Sequence, residues 1–198
     1  MFEGFLFGAG LFCAMGPKDS FVIRQALVGR HLPVVIFICV ASDIVLISLG
    51  VAGLGRLVSA SATLLALSAW GGAGYLIWYG GKTLAAALNN TSMPAQEEGG
   101  NVSLRSLTIT ALMLSLFNPY ALIDTVLVIG SISGSKPAEL RWAFAGGAMV
   151  ASWLWFSVLA AGTCCFRSWF EHATMWRLLD TGIALLMFYL AAHLILFY

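Results

Sequence analysis

Apolar residues along this chain gather into six blocks: Phe2–Leu27, Leu32–Leu54, Thr63–Leu88, Leu104–Ser133, Leu140–Cys165 and Trp176–Phe197. A bilayer core of roughly 30 Å is crossed by about 20 helical residues. Every block reaches that length, so the pattern predicts an all-α membrane protein with six transmembrane helices. Polar residues collect over one stretch, Asn89–Ser103, where Pro94, Glu97, Glu98 and Gly99-Gly100 read as a loop.

That loop divides the chain into a first three-helix repeat (residues 1–88), a connection (89–103) and a second three-helix repeat (104–198). Three spans is an odd number, so the second half must insert upside down relative to the first. The result is an inverted repeat, a common plan of secondary transporters. Two features relate the halves. Gly72-Ala73-Gly74-Tyr75-Leu76-Ile77-Trp78-Tyr79 in the third span resembles Gly182-Ile183-Ala184-Leu185-Leu186-Met187-Phe188-Tyr189 in the sixth. Spans 1 and 4 are each broken at a proline, Gly16-Pro17 and Asn118-Pro119.

Composition narrows the class. With 60% hydrophobic and 10% charged residues, the chain has too few charges to cover a soluble domain. A net charge of +1 without a charged tail sets nucleic acid aside as a partner. Cys13, Cys39, Cys164 and Cys165 lie in apolar stretches without metal-ligand spacing, and read as small buried residues. No metal site or nucleotide-binding motif is predicted, and a transporter rather than an enzyme is expected. Met1–Ala14 carries Glu3 and no basic n-region, so it reads as part of span 1 and not as a signal peptide. Loops 1–2, 3–4 and 5–6 with their flanks hold Lys18, Arg24, Arg30, Lys82, Arg105, Arg167 and Arg177. The other side holds Arg56, Lys136 and Arg141. The positive-inside rule then places both termini outside.

The breaks and the buried acids carry the candidate chemistry. Pro17 lies about ten residues, or roughly 16 Å, from the cytoplasmic end of span 1, near the midplane. Proline removes a backbone donor and leaves carbonyls unpaired, which membranes tolerate only inside protein or beside a wet cavity. A helix restarting at Pro17 or Pro119 has proline at its first position and aims free N–H groups at the break. Two such ends would receive a substrate carboxylate; the alternative is a pair of packing kinks. Asp43 falls in the middle of span 2, and Asp124-Thr125 follows the second break. A carboxylate at the centre of a membrane helix costs about 2.5–3.5 kcal/mol. Asp43 and Asp124 therefore read as sites for an ammonium or guanidinium group or a coupling proton, against protonated carboxyls that join helices. Asp19 fits either the first-turn dipole or the substrate, and Lys18 could neutralise it or lie at the edge of a water-filled vestibule. Asp180 is expected to pair with Arg177. Trp142, Trp169, Trp176 and Tyr198 suit interfacial belts. Trp155 reads as packing, and Gly4, Gly8, Gly71, Gly72 and Gly74 as close helix contacts.

These stretches resemble the LysE-type lysine and arginine exporters. Gly16-Pro17-Lys18-Asp19-Ser20-Phe21-Val22 is similar to their GPQNxFV motif, and Ala41-Ser42-Asp43-Ile44-Val45-Leu46-Ile47 to their second-span motif. Trp70-Gly71-Gly72 with Leu76-Ile77-Trp78-Tyr79-Gly80 looks like their third span. Asn118-Pro119, Asp124-Thr125 and Val128-Ile129-Gly130-Ser131 look like their NP…DT segment. The resemblance implies export of amino acids, most of all lysine and arginine, across a bacterial inner membrane without a cofactor. The substrate-binding set is then Gly16, Pro17, Asp19, Asp43, Asn118, Pro119, Asp124 and Thr125, with Asp43 or Asp124 exchanging a proton. One departure is visible: the family's Gln-Asn is Lys18-Asp19 here, and a fixed lysine repels a cationic substrate unless Asp19 compensates. Partners expected are an amino-acid substrate and membrane lipid; self-association into a homo-oligomer is left open. Competing readings are a neutral amino-acid or cation exporter, and a thiol–disulfide relay, which would need a cysteine near each break.

Overall fold

The computed structural model describes residues 1–13, 16–29, 31–54, 60–89, 103–116, 118, 121–166 and 172–197, without the side chains of Ala62, Leu64, Leu65, Ser68, Asp124, Ala173 and Phe197. Among the described residues there are helices and no strands. They are α1 (Phe2–Phe12), α2 (Pro17–Val28), α3 (Leu32–Leu49), α4 (Ala62–Leu88) and α5 (Leu104–Leu116). There follow α6 (Leu122–Ile129, continuing as Gly130–Gly134), α7 (Ala138–Cys165) and α8 (Ala173–Phe197).

Local chemistry explains several boundaries. α2 begins on Pro17, whose missing N–H costs nothing in a first turn. It ends on Gly29 in the left-handed conformation (φ 76°), whose N–H donates to the Gln25 carbonyl at 2.9 Å. α3 carries Pro33 in its first turn. Beyond Leu49 its hydrogen bonding widens to the π pattern over Gly50–Leu54, where Gly53 takes φ 119°, a conformation that favours glycine. Leu122–Ile129 of α6 is also π-helical, a form often found at functional sites.

Long helices pair in two ways. α8 runs along α4, and α1 runs along α7. The second contact depends on small residues. A Cβ on Gly4 would stand 1.9 Å from the Phe144 carbonyl oxygen, and one on Gly147 would stand 2.0 Å from that of Met1. Only glycine lets the two backbones approach so closely. Gly50 and Gly130 do the same where the end of α3 meets α6, each Cβ position lying 2.7 Å from a backbone oxygen of the other helix. Gly71 and Gly74, expected at close contacts, instead have nothing within 4 Å of an added Cβ. They give α4 an open face.

α3 with its π turn (Leu32–Leu54), α7 and Thr174–Leu196 of α8 are long and apolar enough to cross a membrane, with mean hydropathies of 2.7, 1.6 and 1.8. α1 and α2 reach that length and hydropathy only as a pair, bent by 80° between them, the geometry of a broken span or of a re-entrant loop. α5 and Thr125–Gly134 are shorter apolar helices. The expected second break at Pro119 lies outside the described residues. Large apolar side chains point outward around the molecule, among them Phe37, Trp70, Trp78, Trp142, Trp153 and Tyr189, as lipid rather than water as solvent requires.

Candidate functional site

The start of α2 forms the floor of the site. The Gly16 N–H donates to the Asp19 Oδ2 at 2.7 Å, so Asp19 closes its own helix start. Its other oxygen, Oδ1, accepts the Trp155 indole N–H of α7 at 2.8 Å. Both carboxylate oxygens thus serve the scaffold, holding the α1–α2 break against α7.

Lys18 leaves the same turn in another direction. Successive residues of a helix point about 100° apart, and its ammonium reaches α3 instead of Asp19. There Nζ donates to Asp43 Oδ1 at 2.5 Å and to the Cys39 carbonyl at 3.2 Å. It also lies 4.6 Å from the centre of the Phe156 ring, a cation–π contact. The second oxygen of Asp43 accepts the Ser152 hydroxyl at 2.6 Å. Lys18 is 8% exposed and Asp43 2%, so a full ion pair with its supporting donors is enclosed between α2, α3 and α7. Lys18 could have neutralised Asp19; the structure pairs it with Asp43 instead, beside the cavity.

These groups surround a cavity of about 60 Å³ lined by Leu11, Phe12, Gly16, Pro17, Lys18, Asp19, Asp43, Asn118, Ala121, Thr125 and Phe156. Residues from both halves of the chain meet there. Of the set named from sequence, Gly16, Pro17, Asp19, Asp43, Asn118 and Thr125 face this one space. Pro119 lies outside the described residues, as does the side chain of Asp124, although its backbone belongs to the π segment of α6. Ser152, Trp155 and Phe156 were missed as site residues. Their spacing of i, i+3 and i+4 places them on one face of a helix, and a serine in that apolar block was the available signal.

Residues 9–197 match the model of the LysE type translocator family. This chain belongs to that family. Its relatives include the "Arginine exporter protein ArgO" of Yersinia enterocolitica, 32% identical over 97% of this chain and 94% of the relative. The protein of the same name in Serratia proteamaculans is 33% identical over 97% and 94%. The "Putative amino-acid transporter YggA" of Aeromonas salmonicida is 31% identical over 97% and 93%. No solved structure matches the chain.

Two further features of this LysE type translocator bear on the candidate site. Asp180 of α8, 1% exposed, accepts both hydrogen bonds of an ion pair from Arg24 of α2. The expected partner, Arg177, donates instead to the Ala87 carbonyl at 3.2 Å. Arg24 also covers the ring of Trp176, which at 1% exposure is buried and not an interfacial anchor. The four cysteines are free thiols, with Cys39 buried and Cys13, Cys164 and Cys165 exposed.

Proposed function

We propose that this chain is a secondary-active exporter of amino acids across a bacterial inner membrane. The observation that carries the reading is the shared cavity: the N-terminus of α2, Asp43 of α3, and Asn118 and Thr125 from the second half line one space. The first N–H groups of a helix lack intrahelical acceptors and carry positive dipole charge. Past Pro17 they suit the α-carboxylate that every amino acid shares. Names of relatives in the family agree with such a substrate, and two of those relatives are printed as arginine exporters.

Alternating access follows from the same arrangement. Six spans in two inverted repeats would place the site at their interface. In support, α1 packs on α7 while α5 packs on α3, so the leading segment of each half leans on the middle helix of the other. A cavity of about 60 Å³ is far below the roughly 300–1,000 Å³ of ligand pockets. Admitting an amino acid therefore requires the halves to rock apart. With no nucleotide-binding motif, the proton gradient or membrane potential would drive export, and both termini would lie outside.

The test is efflux of arginine, lysine and several neutral amino acids from dipeptide-loaded bacteria, with and without the protein. Faster loss of any of them supports export. Unchanged loss of all of them discards it.

A further inference from the structure

The Lys18 ammonium sits in a complete cation site. A carboxylate oxygen of Asp43, the Cys39 carbonyl and the Phe156 ring contact it, and Ser152 holds the second Asp43 oxygen. These are the groups that a substrate's guanidinium or side-chain ammonium would seek in this cavity, and the chain's own cation fills them. We infer that Lys18 is a specificity-determining residue: it occupies the Asp43 cation subsite, so the exported amino acid carries an uncharged side chain. This inference rests on the export reading above and names its substrate class.

The competition is unequal. Lys18 is tethered within reach of Asp43, so its effective concentration there exceeds that of a free solute. An incoming cation would also have to leave the lysine charged, enclosed and unpaired, or lie beside it as a like charge. A zwitterion meets neither obstacle. Its carboxylate can use the start of α2, while Lys18 and Asp43 cancel each other and Asp19 remains committed to Gly16 and Trp155. The other described polar groups of the lining, Asn118 and Thr125, are uncharged.

Citrulline is the discriminating probe, because it has the length of arginine and a urea in place of the guanidinium. The experiment measures uptake of labelled citrulline, leucine, arginine and lysine into proteoliposomes holding the purified full chain. The unaltered protein is expected to carry citrulline or leucine and to discriminate against arginine by at least about 100-fold, the lower end of the scale of leaving a buried charge unpaired. Lys18→Gln should raise the arginine-to-citrulline ratio by opening Asp43. The double variant Lys18→Gln with Asp43→Asn removes the receptor along with its plug, and should lose that gain. Arginine carried as fast as citrulline by the unaltered protein overturns the inference, without any variant having to fold. So does a ratio that Lys18→Gln leaves unchanged while citrulline uptake persists. Uptake of none of the four amino acids by the unaltered protein removes the export reading, and this inference falls with it.

Discussion

One nitrogen of Arg24, Nη2, donates to both carboxylate oxygens of Asp180, at 3.1 Å and 3.0 Å, joining α2 to α8. The two residues lie in opposite halves of the chain. Asp180 is nearly inaccessible, whereas the Arg24 side chain is a third exposed. The carboxylate is thus a buried charge supported by a cation that still touches the surroundings. Because α2 also forms the floor of the cavity, this pair connects the site to the α4–α8 pair of helices.

Removing the cation should be felt in stability. Truncating one partner of a fully buried pair costs about 3–5 kcal/mol. Partial exposure of Arg24 lowers the expectation for Arg24→Ala to about 1–3 kcal/mol, on the scale of an unsatisfied buried group. Arg24→Lys should recover part of it, losing the guanidinium's contact with the Trp176 ring but keeping the charge. Thermal unfolding in detergent, comparing both variants with Asp180→Asn, checks the order.

Glycine supplies a sharper contrast. Gly147→Ala places a methyl into the Met1 carbonyl and should push α1 away from α7, at about 1–3 kcal/mol for overpacking. Gly146→Ala, one residue earlier, meets nothing within 4 Å. It should be neutral or slightly stabilising, since alanine is the better helix former. Equal unfolding temperatures for the two variants would contradict the packing described for α1.

Trp155→Phe tests whether Asp19 acts through the scaffold. The change keeps an aromatic ring but removes the indole donor, leaving one oxygen of an enclosed carboxylate without its partner. A loss of about 1–3 kcal/mol is expected, together with slower transport, because the α2 start is no longer held against α7. Trp153→Phe, on an exposed side chain two residues away, is the control and should change neither.

A cysteine-free protein should retain its transport. Cys13, Cys39, Cys164 and Cys165 are separate thiols, and the backbone carbonyl of residue 39, which any side chain leaves in place, is what contacts Lys18. Loss of all transport in a variant that reaches the membrane would favour the thiol relay.

How far the site could be read in advance depended on whether a feature was local. A helix start at Pro17 is a backbone property of the Gly16-Pro17 step, so it was visible from two residues. Choice of partner was not. Lys18 and Asp19 are neighbours in sequence but diverge on the helix, one toward α3 and the other toward α7. Arg177 and Asp180 have suitable i, i+3 spacing, yet the buried aspartate goes to Arg24, 156 residues away in sequence. Trp176 has the chemistry of an interfacial residue, and only the fold shows that Arg24 covers it. The π turns at Gly50–Leu54 and Leu122–Ile129 left no recognisable period in the hydrophobic pattern.

Asp43 allows its structural and transport roles to be separated. Asp43→Asn leaves the Lys18 ammonium enclosed without a counter-charge, and should destabilise the protein by about 3–5 kcal/mol. Lys18→Gln strands the carboxylate and should cost a similar amount. The double variant replaces both charges by neutral amides, so that neither an ammonium nor a carboxylate is left enclosed without its counter-charge. Its unfolding temperature should therefore return most of the way to that of the unaltered protein. Additive losses would mean that the pair contributes little and that each residue is held by its other neighbours, Cys39 and Phe156 for the lysine and Ser152 for the aspartate. Recovery of stability without recovery of citrulline or leucine transport would show that the charges are needed during the transport cycle beyond their part in holding α2 to α3.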